Sequence, residues 1–379
     1  MRVFQLPAEQ IARLKRTYIT RAVTLADSVT VTLDHRPRIG DLAIARVTSI
    51  GHHGWIDAPD GRRTTIQPDD LLLVAYGARY APDQYEAELS DDLGAADLAA
   101  KGGMIGKVRS RHAGVAAPTG LDPIGVLCDE TGRVRNLAET AIPVAAVPAV
   151  RVPTIAVVGT AMNAGKTTTA AALIHGLHRA GLRVAAAKLT GTGAANDPWL
   201  FRDSGAHRVL DFTDSGLPGT YRVPVEDLVL GAAGLHRHLS AGSDVIVVEI
   251  ADGLLHGETA GLIRHPVIRD LIDGYVFAAG DAAGALFGVN RLRQWGMDVL
   301  ATSGVFTQSP LATREAAVEL DIPVYTPTDL ASASLAGSLL QRCSSTDAAV
   351  AATRKPARPF GIDRIHGERR LHPHGELTV

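Results

Sequence analysis

Hydrophobic positions follow two different rhythms along the chain, and the rhythm changes near residue 148. Residues 1–147 alternate short apolar runs, such as 41–47 and 71–75, with Gly, Asp and Pro, as in the turn 59–61. Such runs are typical of short antiparallel strands joined by tight turns. We therefore expect a β-rich N-terminal domain, either a small barrel or a sandwich.

From residue 148 to residue 343 the pattern becomes strand, loop, helix. Residues 154–158 form an apolar run, and residues 166–179 carry apolar positions at helical spacing up to Gly181, a typical C-cap residue. Alternating strands and helices give a parallel sheet with right-handed crossovers. We expect an α/β domain with a mostly parallel sheet flanked by helices. The further predicted strands are 184–189, 245–249, 275–279, 299–302 and 322–325.

Two segments lie outside these domains. Residues 142–153 carry three prolines in apolar surroundings and predict a linker. Residues 344–379 are rich in Ser, Arg, Pro and His and predict a weakly ordered tail. His372 and His374 could bind a metal there, or could simply be solvated.

Residues 158–169, Val-Gly-Thr-Ala-Met-Asn-Ala-Gly-Lys-Thr-Thr-Thr, follow a predicted strand and open a predicted helix. This is the context of a phosphate-binding P-loop, in which backbone N–H groups wrap the phosphates. Lys166 would then pair with the β- and γ-phosphates, and the Thr167 hydroxyl would bind Mg²⁺. We expect ATP and Mg²⁺ as cofactors, since the sequence has no Asn-Lys-x-Asp guanine signature. The residues expected to hold the nucleotide are Gly159, Thr160, Asn163, Ala164, Gly165, Lys166, Thr167 and Thr168.

Five residues separate Gly159 from Gly165, where the common P-loop has four. The longer loop resembles that of dethiobiotin synthetase and its relatives in the SIMIBI class of P-loop NTPases. Residues 163–168 also resemble the accessory protein of molybdopterin-guanine dinucleotide synthesis. Ala161 stands where partition-type ATPases carry a lysine and dethiobiotin synthetases carry an aspartate. The chain therefore resembles the SIMIBI class, but it matches neither of these two members of the class. The class resemblance also implies a homodimer.

Residues 187–193, at the end of the second predicted strand of this half, resemble the corresponding Lys-Pro element of the same synthetases. The resemblance places Lys188 at the carboxyl end of the sheet, where it could meet the γ-phosphate or an anionic substrate. The alternative is a solvated lysine at the end of a strand. Asp197 or Asp203 could bind Mg²⁺ or orient a substrate, or could merely cap a helix.

Residues 244–255 resemble the hydrophobic strand and Glu-Gly-Ala-Gly-Gly-Leu-Leu element of these synthetases. An acidic residue at the end of such a strand holds Mg²⁺ opposite the P-loop threonine, and Glu249 takes that position. Asp252 follows where the family has a small residue, and could be a second metal ligand, a general base or part of a turn. We assign no chemistry to His256.

Three further segments carry polar residues. Residues 80–86 form a polar and aromatic cluster. Residues 101–111 are basic and glycine-rich, and would either cover a phosphate or form a solvated barrel loop. Residues 303–315 follow a strand where relatives place contacts to the nucleotide base.

Composition excludes several partners. Hydrophobic residues make up 46% and charged residues 21% of the 379 residues, and the formal net charge is −2. This balance gives no electrostatic reason to bind nucleic acid or an anionic membrane. The N-terminus lacks a signal peptide and no stretch reaches the ~18 apolar residues of a membrane span, so we expect a cytoplasmic protein.

Three functions fit these residues. The first is an ATP- and Mg²⁺-dependent kinase or ligase that activates a small anionic metabolite by phosphoryl transfer, with Lys166, Lys188, Glu249 and Asp252 as catalytic residues and Thr167, Glu249 and Asp197 as metal ligands. The second is a nucleotide-hydrolysing switch or cofactor-delivery chaperone. The third is an acyl-coenzyme A-dependent acyltransferase, in which the loop holds phosphates without cleaving them.

Overall fold

The computed structural model describes residues 3–26, 28–143 and 151–351, with side chains up to residue 343. Most of the predicted linker and the tail histidines His372 and His374 lie outside these residues. The N-terminal strands are β1 (Val3–Gln5), β2 (Lys15–Arg16), β3 (Thr30–Thr32), β4 (Leu42–Ser49), β5 (Trp55–Asp57), β6 (Arg63–Thr65), β7 (Leu71–Tyr76), β8 (Arg79–Tyr80), β9 (Tyr85–Glu88), β10 (Ala96–Ala100), β11 (Met104–Arg111) and β12 (Thr119–Cys128).

Five of these strands close into a ring, so this half of the chain contains a barrel and not a sandwich. β12 pairs with β4, β4 with β7, β7 with β11, β11 with β10, and β10 pairs back with β12. The β7–β11 and β2–β7 pairings are parallel, so the expectation of antiparallel strands was wrong for these two pairs. Alternate residues of β7 belong to different apolar clusters: Leu72 and Val74 to one, and Leu73 to another that includes Tyr18. This alternation follows from the two-residue period of a strand.

The C-terminal half has the predicted α/β architecture. Its strands β13 (Thr154–Gly159), β14 (Val184–Lys188), β15 (Arg208–Asp211), β16 (Val245–Glu249), β17 (Gly274–Ala278) and β18 (Val299–Ser303) form one sheet in the order β15-β14-β16-β13-β17-β18. All neighbouring strands in it are parallel. The strand before the P-loop, β13, therefore lies between β16 and β17, and the carboxyl ends of all three meet at one edge.

Helices cover both faces of this sheet. The described helices are α1 (Ala8–Ala12), α2 (Lys166–Arg179), α3 (Asn196–Asp203), α4 (Val225–Ser240), α5 (Gly257–Arg264), α6 (Pro266–Leu271), α7 (Ala282–Gln294), α8 (Pro310–Glu319), α9 (Pro327–Leu330) and α10 (Ala333–Ala351). Ile155 and Val157 of β13 pack with α2, α3 and α10. Ala156 and Val158 pack on the opposite face with residues of α4 to α8. Burial on both faces explains why the central strand β13 carries an uninterrupted apolar run at residues 155–158.

Some elements differ from the sequence-based expectation. Residues 322–325 form only a single bridge, from Val324 to Thr302, and β15 was not predicted. The helix α10 continues to Ala351, beyond the predicted start of the tail. Within the described ranges, every helix is too short or too polar to cross a bilayer.

The two halves are in direct contact through buried polar groups. Tyr18 Oη donates a hydrogen bond to Asp211 Oδ2 at 2.7 Å, and Arg21 forms an ion pair with Asp214. Burial raises the pKa of Tyr18, and the charge of Asp211 raises it further, so the phenol stays a neutral donor. Lys101 bonds to Asn196 Oδ1 at 2.9 Å, which places part of the basic 101–111 segment at this contact.

Candidate functional site: the carboxyl edge of the P-loop sheet

The loop between β13 and α2 has the geometry of a phosphate cradle. Asn163 and Gly165 adopt left-handed backbone conformations, with φ of +63° and +92°. The backbone N–H groups of Gly165, Lys166 and Thr167 bond to no atom of the described chain. Unbonded N–H groups at the start of a helix, together with its dipole, attract anions. The predicted P-loop residues are thus arranged to bind phosphate.

Lys166 is held over this loop. Its side chain is buried, and Nζ donates to the carbonyl oxygen of Ala161 at 2.7 Å. Burial lowers the pKa of the ammonium group, while the carboxylate of Glu249 opposes that effect. A phosphate oxygen would be a stronger, charge-assisted partner than a carbonyl group. Lys166 is therefore free to exchange its present bond for a nucleotide.

Thr167 and Glu249 meet at the edge of the sheet. Thr167 Oγ1 donates to Glu249 Oε1 at 3.2 Å, and Glu249 Oε2 is buried with no hydrogen-bond partner in the part of the chain described. Mg²⁺ binds hard oxygen ligands and usually takes one or two carboxylates with phosphate oxygens and waters. A hydroxyl and an orphaned carboxylate oxygen at the mouth of the P-loop fit that ion. Within the described ranges, no cluster of three His, Cys, Asp or Glu side chains is arranged to hold a metal.

Lys188 ends β14 and is shared between two carboxylates. It forms an ion pair with Asp197, near the start of α3, and its Nζ lies 3.6 Å from Glu249 Oε1. Burial acts to lower the pKa of this lysine, but Asp197 and Glu249 outweigh burial and raise it. The positive charge of Lys188 is thus balanced by two carboxylates of the same chain. Asp197 as a metal ligand stays a prediction, and Asp203 is exposed at the end of α3.

Asp252 lies in the loop after β16 and is buried. Its backbone N–H donates to Thr259 Oγ1 at 3.0 Å, whereas its carboxylate accepts no hydrogen bond from the described residues. Burial raises the pKa of this carboxyl, and the charges of His256 and Lys166 act against the rise. A buried carboxylate of raised pKa is suited to accept a proton near neutral pH.

The N-terminal barrel reaches onto the P-loop, which the sequence did not reveal. Asp83, in the turn between β8 and β9, accepts a hydrogen bond from Asn163 Nδ2 at 2.8 Å. Arg79 is buried beside it and donates to Gln84 Oε1 at 2.8 Å and to the carbonyl of Ala99. Burial lowers the pKa of Arg79 to about 10, although the charges of Asp83 and Asp252 oppose that shift. The β8–β9 hairpin therefore belongs to the site.

Residues 80–86 were recognised from the sequence as a polar and aromatic cluster, but no role was assigned to them. Arg79 was not recognised. An arginine between two apolar runs, in Ala-Tyr-Gly-Ala-Arg-Tyr-Ala, was the available signal. Residues 303–315 were expected to contact the nucleotide base. The structure places Val305 N within 3.1 Å of the carbonyl of Ala164, so the start of this segment supports the P-loop. Contact with a base stays a prediction.

No family model matches the chain. It is similar to the solved structure of chloroplast FtsY from Physcomitrella patens, with a TM-score of 0.35, 15% identity, and 55% of this chain and 70% of that chain covered. It is also similar to the signal recognition particle 54 kDa protein from Aeropyrum pernix K1 in complex with GDP, with a TM-score of 0.34, 18% identity, and coverage of 56% and 54%. A third similar structure is the septum site-determining protein MinD from Pyrococcus horikoshii OT3 with Mg-ADP, with a TM-score of 0.32, 15% identity, and coverage of 54% and 100%.

Membership of the SIMIBI class stays what the resemblance of the longer P-loop implies. The chain spans about half of the signal recognition particle protein. The synthetase-like branch of the class stays a prediction. The case for a nucleotide site rests on the geometry of the loop itself.

Proposed function

We propose that this protein is an ATP- and Mg²⁺-dependent enzyme that transfers the γ-phosphoryl group to a small substrate, either as a kinase or as a ligase. Asp252 is the observation that carries the proposal. Its buried carboxylate accepts no hydrogen bond from the residues that the structure describes, and it is close enough to Lys166 and Lys188 for their charges to lower its pKa. A hydroxyl or amine acceptor loses a proton when it is phosphorylated, and in this proposal Asp252 receives that proton.

Each residue of the site has a part in this reaction. The N–H groups of the P-loop and Lys166 would bind the phosphates. Thr167 and Glu249 would hold Mg²⁺, which neutralises charge that develops on the phosphates. As the hydroxyl oxygen or amine nitrogen of the acceptor bonds to the γ-phosphorus, its proton passes to Asp252. The bond from that phosphorus to the bridging oxygen breaks, and the nucleoside diphosphate leaves.

Lys188 acts indirectly in this scheme. Because Asp197 and Glu249 already balance its charge, it fixes the metal-binding carboxylate in place. The predicted anionic character of the substrate and the predicted homodimer remain proposals. An anionic group would have to be neutralised by Mg²⁺ and Lys166.

The test is nucleotide cleavage in the presence of metabolite mixtures. Lys166→Ala should abolish turnover, and Asp252→Asn should retain ATP binding while lowering turnover by about 10²- to 10⁴-fold, the usual loss of a general base. Lys107→Ala, which removes an exposed lysine of β11, is the matched control and should behave as wild type. Normal turnover by either site variant would refute the proposal.

A nucleotide-driven switch is the second candidate, and the Asp83–Asn163 hydrogen bond favours it. This bond joins the barrel to the P-loop, so that a change in the loop on hydrolysis would reach the barrel. A switch hydrolyses slowly and is stimulated by a protein partner, whereas a kinase or ligase is stimulated by a metabolite. Mg²⁺-dependent phosphate release would exclude the acyltransferase alternative.

A further inference from the structure

One residue of the P-loop has a left-handed backbone although it is not glycine. Asn163 has a φ of +63°, and Gly165, two residues later, has a φ of +92°. Successive backbone N–H groups around such left-handed positions form a concave site for anions. Glycine adopts this conformation freely, whereas asparagine adopts it at a cost that the surrounding structure has to offset. The open shape of the P-loop therefore depends on what holds Asn163.

The side chain that holds Asn163 comes from the N-terminal barrel. Asn163 Nδ2 donates a hydrogen bond to Asp83 Oδ2 at 2.8 Å, although 80 positions separate the two residues in the sequence. Among the residues that the structure describes, no other barrel side chain bonds to the loop 160–165. A further bond of the loop, from Val305 N to the carbonyl of Ala164 at 3.1 Å, lies within the P-loop half. The barrel therefore contacts the loop at the residue whose backbone conformation is costly.

A tight turn between β8 and β9 fixes the position of Asp83. In this turn Gln84 N donates to the carbonyl of Ala81 at 2.9 Å, and Ala81 N donates to the carbonyl of Tyr85 at 3.0 Å. The buried guanidinium group of Arg79 also donates to Gln84 Oε1 at 2.8 Å. A side chain on such a braced turn loses little conformational freedom when it forms a hydrogen bond. Asp83 is therefore a preorganised acceptor for the P-loop.

We propose that Asp83 of the barrel is a positioning residue of the nucleotide site, because it holds Asn163 in the left-handed conformation that keeps the P-loop open to phosphate. The inference rests on the proposed function and extends its nucleotide site to the other half of the chain. Without this bond, Asn163 returns to the negative φ values that non-glycine residues prefer, and the loop closes. Only the fraction of molecules with an open loop then binds nucleotide, so the apparent dissociation constant rises by the reciprocal of that fraction.

The experiment measures the dissociation constant of a non-hydrolysable ATP analogue for the full chain with Mg²⁺, by calorimetry. Asp83→Ala removes the acceptor and should raise this constant about fivefold, equivalent to about 1 kcal/mol, the usual net contribution of one hydrogen bond. Asp83→Asn keeps a neutral acceptor oxygen, which is weaker than a carboxylate, and should raise the constant about twofold. Asp122→Ala makes the same substitution at an exposed aspartate of β12 and should bind the analogue as the wild type does.

Variants of Asn163 separate positioning from a general loss of structure. Asn163→Ala removes the donor but keeps the backbone strain, so it should lose at least as much affinity as Asp83→Ala. Glycine adopts a positive φ without help, so the loop of Asn163→Gly no longer needs Asp83. Adding Asp83→Ala to Asn163→Gly should therefore change the dissociation constant by less than about twofold, because the two residues act through one contact. The comparison of Asn163→Ala with Asn163→Gly leaves the barrel unchanged, so it tests the inference even if Asp83→Ala fails to fold.

The inference and the proposed function fail in different ways. If Asp83→Ala binds the analogue as the wild type does, or loses affinity equally with and without Asn163→Gly, the positioning role is overturned and the nucleotide site stands. Tighter binding by Asp83→Ala has the same meaning, because the carboxylate would then repel the phosphates instead of holding the loop open. Equal affinities of Asn163→Ala and Asn163→Gly also overturn the role. If the wild type does not bind the analogue, the proposed function falls, and the positioning role of Asp83 falls with it.

Discussion

Replacing Lys188 by methionine would leave two carboxylates without the cation that they share. Glu249 is only 1% exposed and cannot recover its hydration, whereas the Asp197 side chain is 29% exposed and can turn towards water. Removing one partner of a buried ion pair typically costs about 3–5 kcal/mol. We expect the lower end, about 3 kcal/mol, because Lys166 still offsets part of the charge of Glu249.

For a domain of roughly 200 residues, this loss corresponds to a fall in melting temperature of about 6–12 °C. The loss should depend on pH. Burial raises the pKa of Glu249 in the folded chain, so the native state binds more protons than the unfolded state above the unfolded value of about 4.3. Stability therefore falls as pH rises through that window, and the missing lysine should steepen the fall.

Thermal and urea unfolding of the nucleotide-free protein at pH 5.5 and pH 8 would measure this. Lys107→Met makes the same substitution at an exposed lysine and should leave the free energy of unfolding unchanged at both pH values. A loss below 1 kcal/mol for Lys188→Met at pH 8, or an equal loss at both pH values, would refute the reasoning about a shared buried cation.

Three further outcomes are expected. In Gly253→Ala the new Cβ would lie 2.1 Å from the carbonyl oxygen of Thr160, so calorimetry should show at least a tenfold loss of nucleotide affinity, while Gly257→Ala, with open space around its Cβ, should show none. Thr167→Val should raise the Mg²⁺ concentration for half-maximal nucleotide binding about tenfold, equivalent to about 1.4 kcal/mol, and an unchanged titration would argue against its role as a ligand. Asp252→Asn should flatten the decline in stability with rising pH that a raised carboxyl pKa produces in the wild type, and unfolding curves from pH 4 to 8 that run parallel would contradict this.

The P-loop half was predictable because its signals are local. The helix predicted over residues 166–179 is α2 as observed, and the predicted strand 245–249 is β16. Residues 322–325 show where local signals fail. Pro323 has no N–H group to donate, so the segment makes only one bridge to β18 before α9 begins. The short strand β15, Arg-Val-Leu-Asp, has too few apolar residues to be recognised.

The closure of the barrel and the contacts of the barrel with the P-loop half depend on pairings between residues that are distant in the sequence. The choice between barrel and sandwich rests on β10 pairing with both β11 and β12, which no periodicity specifies. Lys166 and Thr167 were predicted from the P-loop motif at the start of α2, and Glu249 from its position at the end of a predicted strand. The bond from Asp83 to Asn163 and the meeting of Tyr80 with His256 join different halves of the chain.

The contact between Tyr18 and Asp211 has a consequence for how the chain is made. Tyr18 and Asp211 are separated by 193 positions in the sequence, and so are Arg21 and Asp214. At about 5–20 residues per second, a ribosome needs roughly 10–40 s to produce that length. During this time the phenol of Tyr18 lacks its hydrogen-bond partner, and the neighbouring apolar cluster, whose other buried members lie in residues 6–137, lacks Ala195. The N-terminal barrel is therefore synthesised before the P-loop half, but its contacts at Tyr18 and Arg21 can form only after Asp211 and Asp214 have been made.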